Sequence, residues 1–361
     1  MLSYPFYLAK YFFWLVRRLI GRFSKGPETL ILTLSGDYPQ IPAPPSNLIL
    51  SYFRPQQISL FQLGEQFKQV VDNPRVKNVI LHIRPLAMPF SRLDVLRGYV
   101  QDLKSAGKRV IAWSYQYNID TYYLASCADE ILLLTGGEVG PLGIAREYIF
   151  LADALDKIGV KAEFVQITPY KSAGDMFTKN QMTEEVQQMG NWLAEATWEE
   201  IVSSIASGRD IEQIKVKEIL NQTPCTDLEA KELGLVDEIL SEDDLPVYLG
   251  SMDQPQKMIV WNIALRHMRR RPPRKPGKYV ALIGIEGMII DGNSQQPPIE
   301  PPIPLPFGFD KSAGDMSVTQ VARRVLADKR AAALVVYVDS RGGSATASES
   351  ICASLRKVAE N

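Results

Sequence analysis

Two apolar stretches of this chain occur twice, and the repetition limits the fold more than any other feature of the sequence. Leu30 to Gly36 (LILTLSG) has a counterpart in Val280 to Gly287 (VALIGIEG), and Val79 to Ile83 (VILHI) has one in Leu334 to Val338 (LVVYV). Gly36 and Gly287 stand 251 positions apart and Ile83 and Val338 stand 255 apart, so two independent landmarks agree to within a short insertion. In the first copy, β-branched strands such as Val79 to Ile83 and Val110 to Trp113 alternate with amphipathic stretches such as Leu93 to Leu103, the pattern of a parallel α/β sheet. By the same alignment Asn361 corresponds to Ala106, just before Gly107, Lys108 and the strand Val110 to Trp113. The second copy is therefore expected to be incomplete, and the chain to be a fragment or half of a split protein. The expected organisation is an anchoring helix over 1–25, a first α/β unit over 29–250, a basic Pro/Arg-rich linker over 251–278, and the start of a second α/β unit over 279–361.

With 46% hydrophobic and 22% charged residues, the 361 residues can bury a sizeable core. A formal net charge of -1 argues against nucleic acid as a partner, because gripping phosphates over a whole surface needs a basic footprint. Cys127, Cys225 and Cys352 form neither a metal pair nor a disulfide framework and are expected to be buried thiols. His82 and His267 have no cysteine or carboxylate cluster at ligand spacing, so a metal centre and a Ser/His triad are both unexpected. The cluster Gly136, Gly137, Gly140 and Gly143 lacks the GK[ST] of a phosphate loop and the spacing of a dinucleotide fingerprint, so no cofactor is expected.

The first 25 residues combine Phe6, Tyr7, Tyr11, Phe12, Phe13, Trp14, Leu15 and Leu19 with Lys10, Arg17, Arg18 and Arg22. Lys10 breaks the apolar run a spanning helix needs. On a helical wheel the cations gather on one face with the apolar residues largely opposite, which is the composition of a helix lying in a membrane interface. An amphipathic helix docked on its own domain is the alternative.

Within Val335 to Ser348 (VVYVDSRGGSATAS), Gly342 and Gly343 follow a strand and precede a helix. Adjacent glycines beside a helix N-terminus can offer backbone N–H groups to a carbonyl oxygen, an oxyanion-hole arrangement. The same pattern also reads as a tight strand-to-helix turn with Ser344 or Thr346 as the N-cap. Ser340, Ser344 and Ser348 have no His or Lys at recognisable spacing and read as turn and cap residues.

These motifs, taken in order, resemble the long, duplicated form of the signal peptide peptidase (SppA) family of Ser/Lys peptidases. D-S-R-G-G-S is similar to that family's S-P-G-G turn and, more remotely, to the turn of ClpP and other crotonase-fold proteins. Ile111 to Ile131 resembles the family's strand–helix junction, Thr226 to Asp237 its closing A-x-x-x-G-L-V-D element, and Thr168 to Phe177 (TPYKSAGDMF) the Y-K-S-A stretch that carries the general-base lysine. The resemblance implies a ClpP/crotonase-like α/β fold and Lys171 as general base. A lysine serves as a base only when desolvation lowers its pKa, so Lys171 is expected on a loop in an apolar cleft, after a strand over Ala162 to Ile167 and before a helix opening at Thr183. A second KSAGDM at Lys311 to Met316 is offset by 140, outside the repeat, and is expected in a loop before a helix over Val318 to Ala327.

The sequence departs from the family at Ile119, which stands at the nucleophile's position in the first unit, with Asp120 and Thr121 in place of Gly-Gly. Arg341 and Asp339 depart from the second turn as well. The resemblance thus implies a nucleophilic serine beyond Asn361, apolar peptide substrates such as signal-peptide remnants, a membrane location and a ring-like homotetramer. The competing expectation is a catalytically inactive crotonase-like scaffold that binds membrane peptides or proteins.

Overall fold

The computed structural model describes residues 3–20, 27–42, 58–167, 170–268, 277–295 and 311–360. The chain divides into two compact units, one formed by Arg17–Arg271 and the other by Pro272–Asn361 with Met1–Val16. Helix α1, Ser3–Ile20, is the N-terminal amphipathic segment; Phe12 and Phe13 are 63% and 67% exposed on it. Residues 21–25 of the expected anchor lie outside the described residues.

The larger unit is built on seven strands, β1 (Thr29–Gly36), β2 (Asn78–Leu86), β3 (Arg109–Tyr117), β4 (Glu130–Val139), β5 (Cys225–Thr226), β6 (Glu238–Ile239) and β7 (Met258–Val260). They run in the order β5-β4-β3-β2-β1-β7 with β6 beside β4, and every pairing is parallel except β4 with β5. The helices that follow are α2 (Leu60–Val71), α3 (Phe90–Ser105), α4 (Ile119–Ala125), α5 (Glu184–Arg209), α6 (Gln213–Leu220), α7 (Asp227–Glu232) and α8 (Trp261–His267). Helix α2 starts at Ser59, whose hydroxyl accepts from the Gln62 N–H while Gln62 Oε1 accepts from the Ser59 N–H, a reciprocal cap. Its buried residues Leu60, Leu63, Phe67 and Val70 fall at helical spacing on the face turned to the sheet.

The near-continuous apolar run of β2 is explained by burial on both faces of the sheet. Val79, Leu81 and Ile83 join the main core with Leu30, Leu34, Leu93 and Leu96. Ile80 points the other way and packs with Ile111, Trp113 and Leu132 under Leu240 and Leu245. Trp113 Nε1 donates to the Leu240 carbonyl at 3.1 Å and fixes that cover.

Three local expectations are corrected here. The stretch expected as a linker over 251–278 contains β7, which pairs with β1, and α8, whose Trp261 and Ala264 are buried in the first unit's core. Apolar residues at Trp261, Ala264, Leu265 and Met268 have helical spacing, and burying them outweighs the basic composition around them. Ala162 to Ile167 is not a strand, because no described strand lies beside it to share a ladder. Cys127 and Cys225 are buried, but Cys352 is exposed.

The smaller unit pairs β8 (Tyr279–Glu286) with β11 (Ala331–Asp339) and β9 (Met288–Ile290) with β10 (Ser312–Gly314), both parallel. Helices α9 (Asp315–Ala327) and α10 (Ala345–Ala359) cover one face, with Ile283, Ile285, Val318, Ala322 and Ile351 as the core. Helix α9 opens at Asp315, three residues before the expected Val318, with Lys311 just ahead of β10. The strand registers of the two units correspond. Leu30 faces Val79 and Leu34 faces Ile83 in one; Ala281 faces Leu334 and Ile285 faces Val338 in the other. Helices α2 and α9, and likewise α3 and α10, begin 255 positions apart, which puts the short insertion ahead of Leu60 and Asp315.

Candidate active site

In the larger unit, the chain leaves β4 at Val139 and runs through a short helix, Ala152–Lys157, to the YKSAGD segment. Thr168 and Pro169 lie outside the described residues. The segment is held at its end. Asp175 is buried and accepts from Gln166 Nε2 at 3.1 Å, and a Cβ on Gly174 would meet Phe164 Cγ at 2.9 Å. At its start it is open: Lys171 is exposed and makes no ion pair or hydrogen bond among the described residues. The expected apolar cleft around this lysine is therefore not present in the unit by itself. Thr183 caps α5 as expected, accepting from the Val186 N–H at 3.3 Å.

Ile119 is the first residue of α4, and packs half-buried against the main core. Asn118 and Thr121 form the reciprocal cap that turns β3 into this helix. Asp120 sits in the first turn, where partial burial raises its carboxyl above the ordinary range. Tyr117 and Tyr122 anchor the junction by donating to the Leu132 and Leu235 carbonyls, each at 2.9 Å. The sequence reading did not find Arg97. It is buried, donates to Tyr123 O, to Ser126 Oγ at 2.7 Å and to Ser204 O at 3.2 Å, and lies over the Tyr123 ring at 4.2 Å. It thereby joins α3, α4 and α5. Its signal was a cation in the apolar stripe Leu93–Arg97–Val100.

In the smaller unit, Gly342 and Gly343 make the turn from β11 into α10 with φ of 97° and 151°. Only glycine accepts these values readily. Gly342 uses both backbone groups: its N–H donates to Ser340 Oγ at 3.1 Å and its carbonyl accepts from Ile289 N at 2.9 Å. The Ser344 N–H donates to Ile289 O at 2.9 Å, so Gly343 forms a parallel bridge with Ile289 and turns its own N–H to the opposite side. That N–H has no acceptor among the described residues. A Cβ on Gly343 would lie 2.0 Å from Ile289 O, so the contact requires glycine.

The three nearby serines are engaged. Ser340 donates to Gly287 O at 2.5 Å, Ser344 caps α10 by accepting from the Ala347 N–H at 3.2 Å, and Ser348 donates to Ser344 O at 2.8 Å. None has a lysine or histidine within hydrogen-bond reach among the described residues. Chemically, the turn offers the Gly343 N–H at a helix N-terminus, and the larger unit offers Lys171, which has no partner among the described residues.

Comparison with known proteins follows these landmarks. Residues 102–250 match the sequence model of Peptidase family S49. "Protease 4" of Haemophilus influenzae is 30% identical over 314 residues, 82% of this chain and 48% of that protein. "Serine protease SPPA, chloroplastic" of Arabidopsis thaliana is 22% identical over 312 residues, 84% of this chain and 44% of that protein. The chain thus spans about half the length of these curated relatives. Among solved structures, a membrane-bound stomatin-specific protease aligns with a TM-score of 0.37 at 11% identity, over 66% of this chain and 95% of that one. Residues 102–250 thus match Peptidase family S49, and the chain is similar to the proteins called Protease 4 and to the serine protease SPPA.

Proposed function

We propose that this chain supplies part of a membrane-associated serine peptidase of the signal-peptide-peptidase type, acting on signal-peptide remnants or other apolar peptides. The observation that carries the reading is the S49 match over 102–250, which encloses Lys171. In this reading, a serine outside residues 1–361 attacks the scissile carbonyl and passes its proton to neutral Lys171 Nζ. The C–N bond then breaks as the lysine ammonium returns that proton to the leaving amine, and water repeats the sequence on the acyl-enzyme. The free N–H of Gly343, with Gly342 shaping the turn, is assigned to stabilise the developing oxyanion. Lys171 is exposed in the unit alone. It must lose solvent when peptide and the remaining polypeptide assemble around it, since only desolvation lets a lysine accept a proton near neutral pH. The family's ring-like homotetramer would provide such an enclosure.

Ile119 and the engaged serines favour a second reading, a catalytically inactive scaffold that binds membrane peptides or proteins. A serine-directed fluorophosphonate separates the two. The chain alone should not be labelled, and labelling at Ser340, Ser344 or Ser348 would place the nucleophile here and overturn the assignment. Adding polypeptide equivalent to the remaining half of the Haemophilus relative should create a labelled serine. Peptide binding with no labelling in that mixture would establish the scaffold.

A further inference from the structure

Arg341 precedes the glycine pair, at the place where the S-P-G-G turn that this segment resembles has a proline. The backbone on either side of it is fixed. Ser340 Oγ donates to Gly287 O and accepts from the Gly342 N–H, and Gly342 O accepts from the Ile289 N–H, so both neighbours of Arg341 are tied to the segment 287–289. Arg341 itself is exposed and has no hydrogen bond or ion pair among the described residues. The carboxylates around the turn have other donors. Asp339, two residues back, accepts from the Tyr337 hydroxyl at 3.3 Å, and Asp291, which reaches the start of α10, accepts from Thr346 Oγ1 at 3.2 Å. A guanidinium with no counter-charge is thus carried just ahead of the Gly343 N–H.

Reach decides what this cation can meet. A carbonyl oxygen held by the Gly343 N–H would lie about 3 Å from that nitrogen. Arg341 is two residues back, at most about 7 Å along the chain, and an extended arginine side chain spans a comparable length. The guanidinium therefore reaches the peptide residues next to the scissile bond and none far from it. Its planar fork holds a carboxylate through two parallel N–H···O bonds, gains nothing from an apolar side chain and repels an ammonium. A proline at this place carries neither charge nor donor. We infer that Arg341 is a specificity-determining residue that favours peptides with a carboxylate next to the scissile bond. The carboxylate is a Glu or Asp side chain or the free C-terminus of the peptide. This preference rests on the peptidase reading and narrows its substrate class to apolar peptides bearing such a negative charge.

Matched peptides test it in the assembly that includes the nucleophilic serine. One pair carries Glu or Gln beside the scissile bond, and the other ends just past that bond in a free carboxylate or an amide. The charged member of one pair should be turned over with a kcat/KM about fivefold higher, the size expected of a solvated ion pair, and added salt should shrink the difference. The pair that shows the difference identifies the source of the carboxylate. Arg341→Gln should erase the preference. Arg341→Glu should reverse it toward a peptide with Lys in place of Glu, a reversal that mere loss of structure cannot produce. Equal kcat/KM within both pairs, or a preference that survives Arg341→Gln, overturns the role of Arg341 while the peptidase reading stands. No turnover of any of these peptides overturns the peptidase reading and the role of Arg341 with it.

Discussion

The guanidinium of Arg209 and the carboxylate of Asp237 meet in a two-point fork, with Nη1–Oδ2 and Nη2–Oδ1 both 2.8 Å. The same carboxylate accepts from the Ile131 N–H at 2.6 Å, and Arg209 Nη2 also donates to Gly234 O at 2.9 Å. One ion pair therefore ties the end of α5 to the start of β4 and to the Gly-Leu-Val-Asp turn. This gives the closing motif a physical role: Gly234 adopts φ 73°, Leu235 and Val236 enter the core, and Asp237 locks them.

Removing either partner should leave the other poorly solvated. Arg209→Ala and Asp237→Ala are each expected to lower unfolding stability by about 2–4 kcal/mol, and the double variant by clearly less than the sum, with a coupling of about 1–2 kcal/mol. Urea denaturation of the three variants measures this. Additive losses would mean that the fork contributes nothing as a pair.

The main features of the parallel sheet were legible because its strands announce themselves. Val79 to Ile83 and Val110 to Trp113 are buried on both faces, so they are apolar without alternation, and the repeat offsets reappear as strand register. What was not legible depends on neighbours distant in sequence. Trp261 reads as part of a basic linker until Phe67 is found 5.1 Å from its ring and Gln66 Oε1 2.8 Å from its indole nitrogen. Ala162 to Ile167 has strand composition and no strand beside it. Motif spacing located the Gly342–Gly343 turn but not the environment of Lys171, because exposure is a property of packing and not of the local sequence.

His82 should make the larger unit sensitive to mild acid. Its ring is buried against Trp113 at 4.8 Å and Tyr115 at 5.4 Å, and Nε2 has no partner among the described residues. Burial holds its pKa below 6.5, with Glu242 opposing and Arg84 reinforcing the shift. Well above pH 6.5 the ring is neutral whether folded or unfolded, so it adds no pH dependence there. As pH falls below 6.5, the unfolded chain takes up a proton that the folded chain resists, and stability declines until the lowered folded value is reached. The slope from this residue is at most about 1.4 kcal/mol per pH unit. His82→Phe should remove that part of the loss between pH 7 and 5, as read from urea midpoints, and an unchanged slope would exclude His82 as its source.

Helix α1 should hold the chain on anionic membranes. Among the described residues no helix is long and apolar enough to cross a bilayer, whereas α1 exposes Leu8, Phe12, Phe13 and Leu15 beside Lys10. That combination suits an in-plane position, with aromatic rings at the headgroup boundary and the cations toward anionic lipid. The chain should sediment with vesicles containing phosphatidylserine, and deletion of residues 1–25 should leave it in the supernatant. Equal sedimentation of the two would remove the anchoring role.

The peptidase reading is most exposed at Lys171. In the assembly that includes the nucleophilic serine, Lys171→Ala should lower peptide turnover by about 10² to 10⁴, the usual cost of removing a general base, while the thermal midpoint stays near that of the parent. The exposed, unpaired side chain predicts the second result, since its loss breaks no contact among the described residues. Lys171→Arg should do no better, because a guanidinium keeps its proton at any working pH. Lys311 is the internal control. Its side chain lies 3.9 Å from Glu286 in an exposed pair, and it is its backbone carbonyl that meets the Met288 N–H at 3.2 Å, so Lys311→Ala preserves the backbone contact and should be nearly silent. Loss of turnover in Lys311→Ala with turnover retained in Lys171→Ala would assign the base to the other KSAGDM and move the active lysine into the smaller unit.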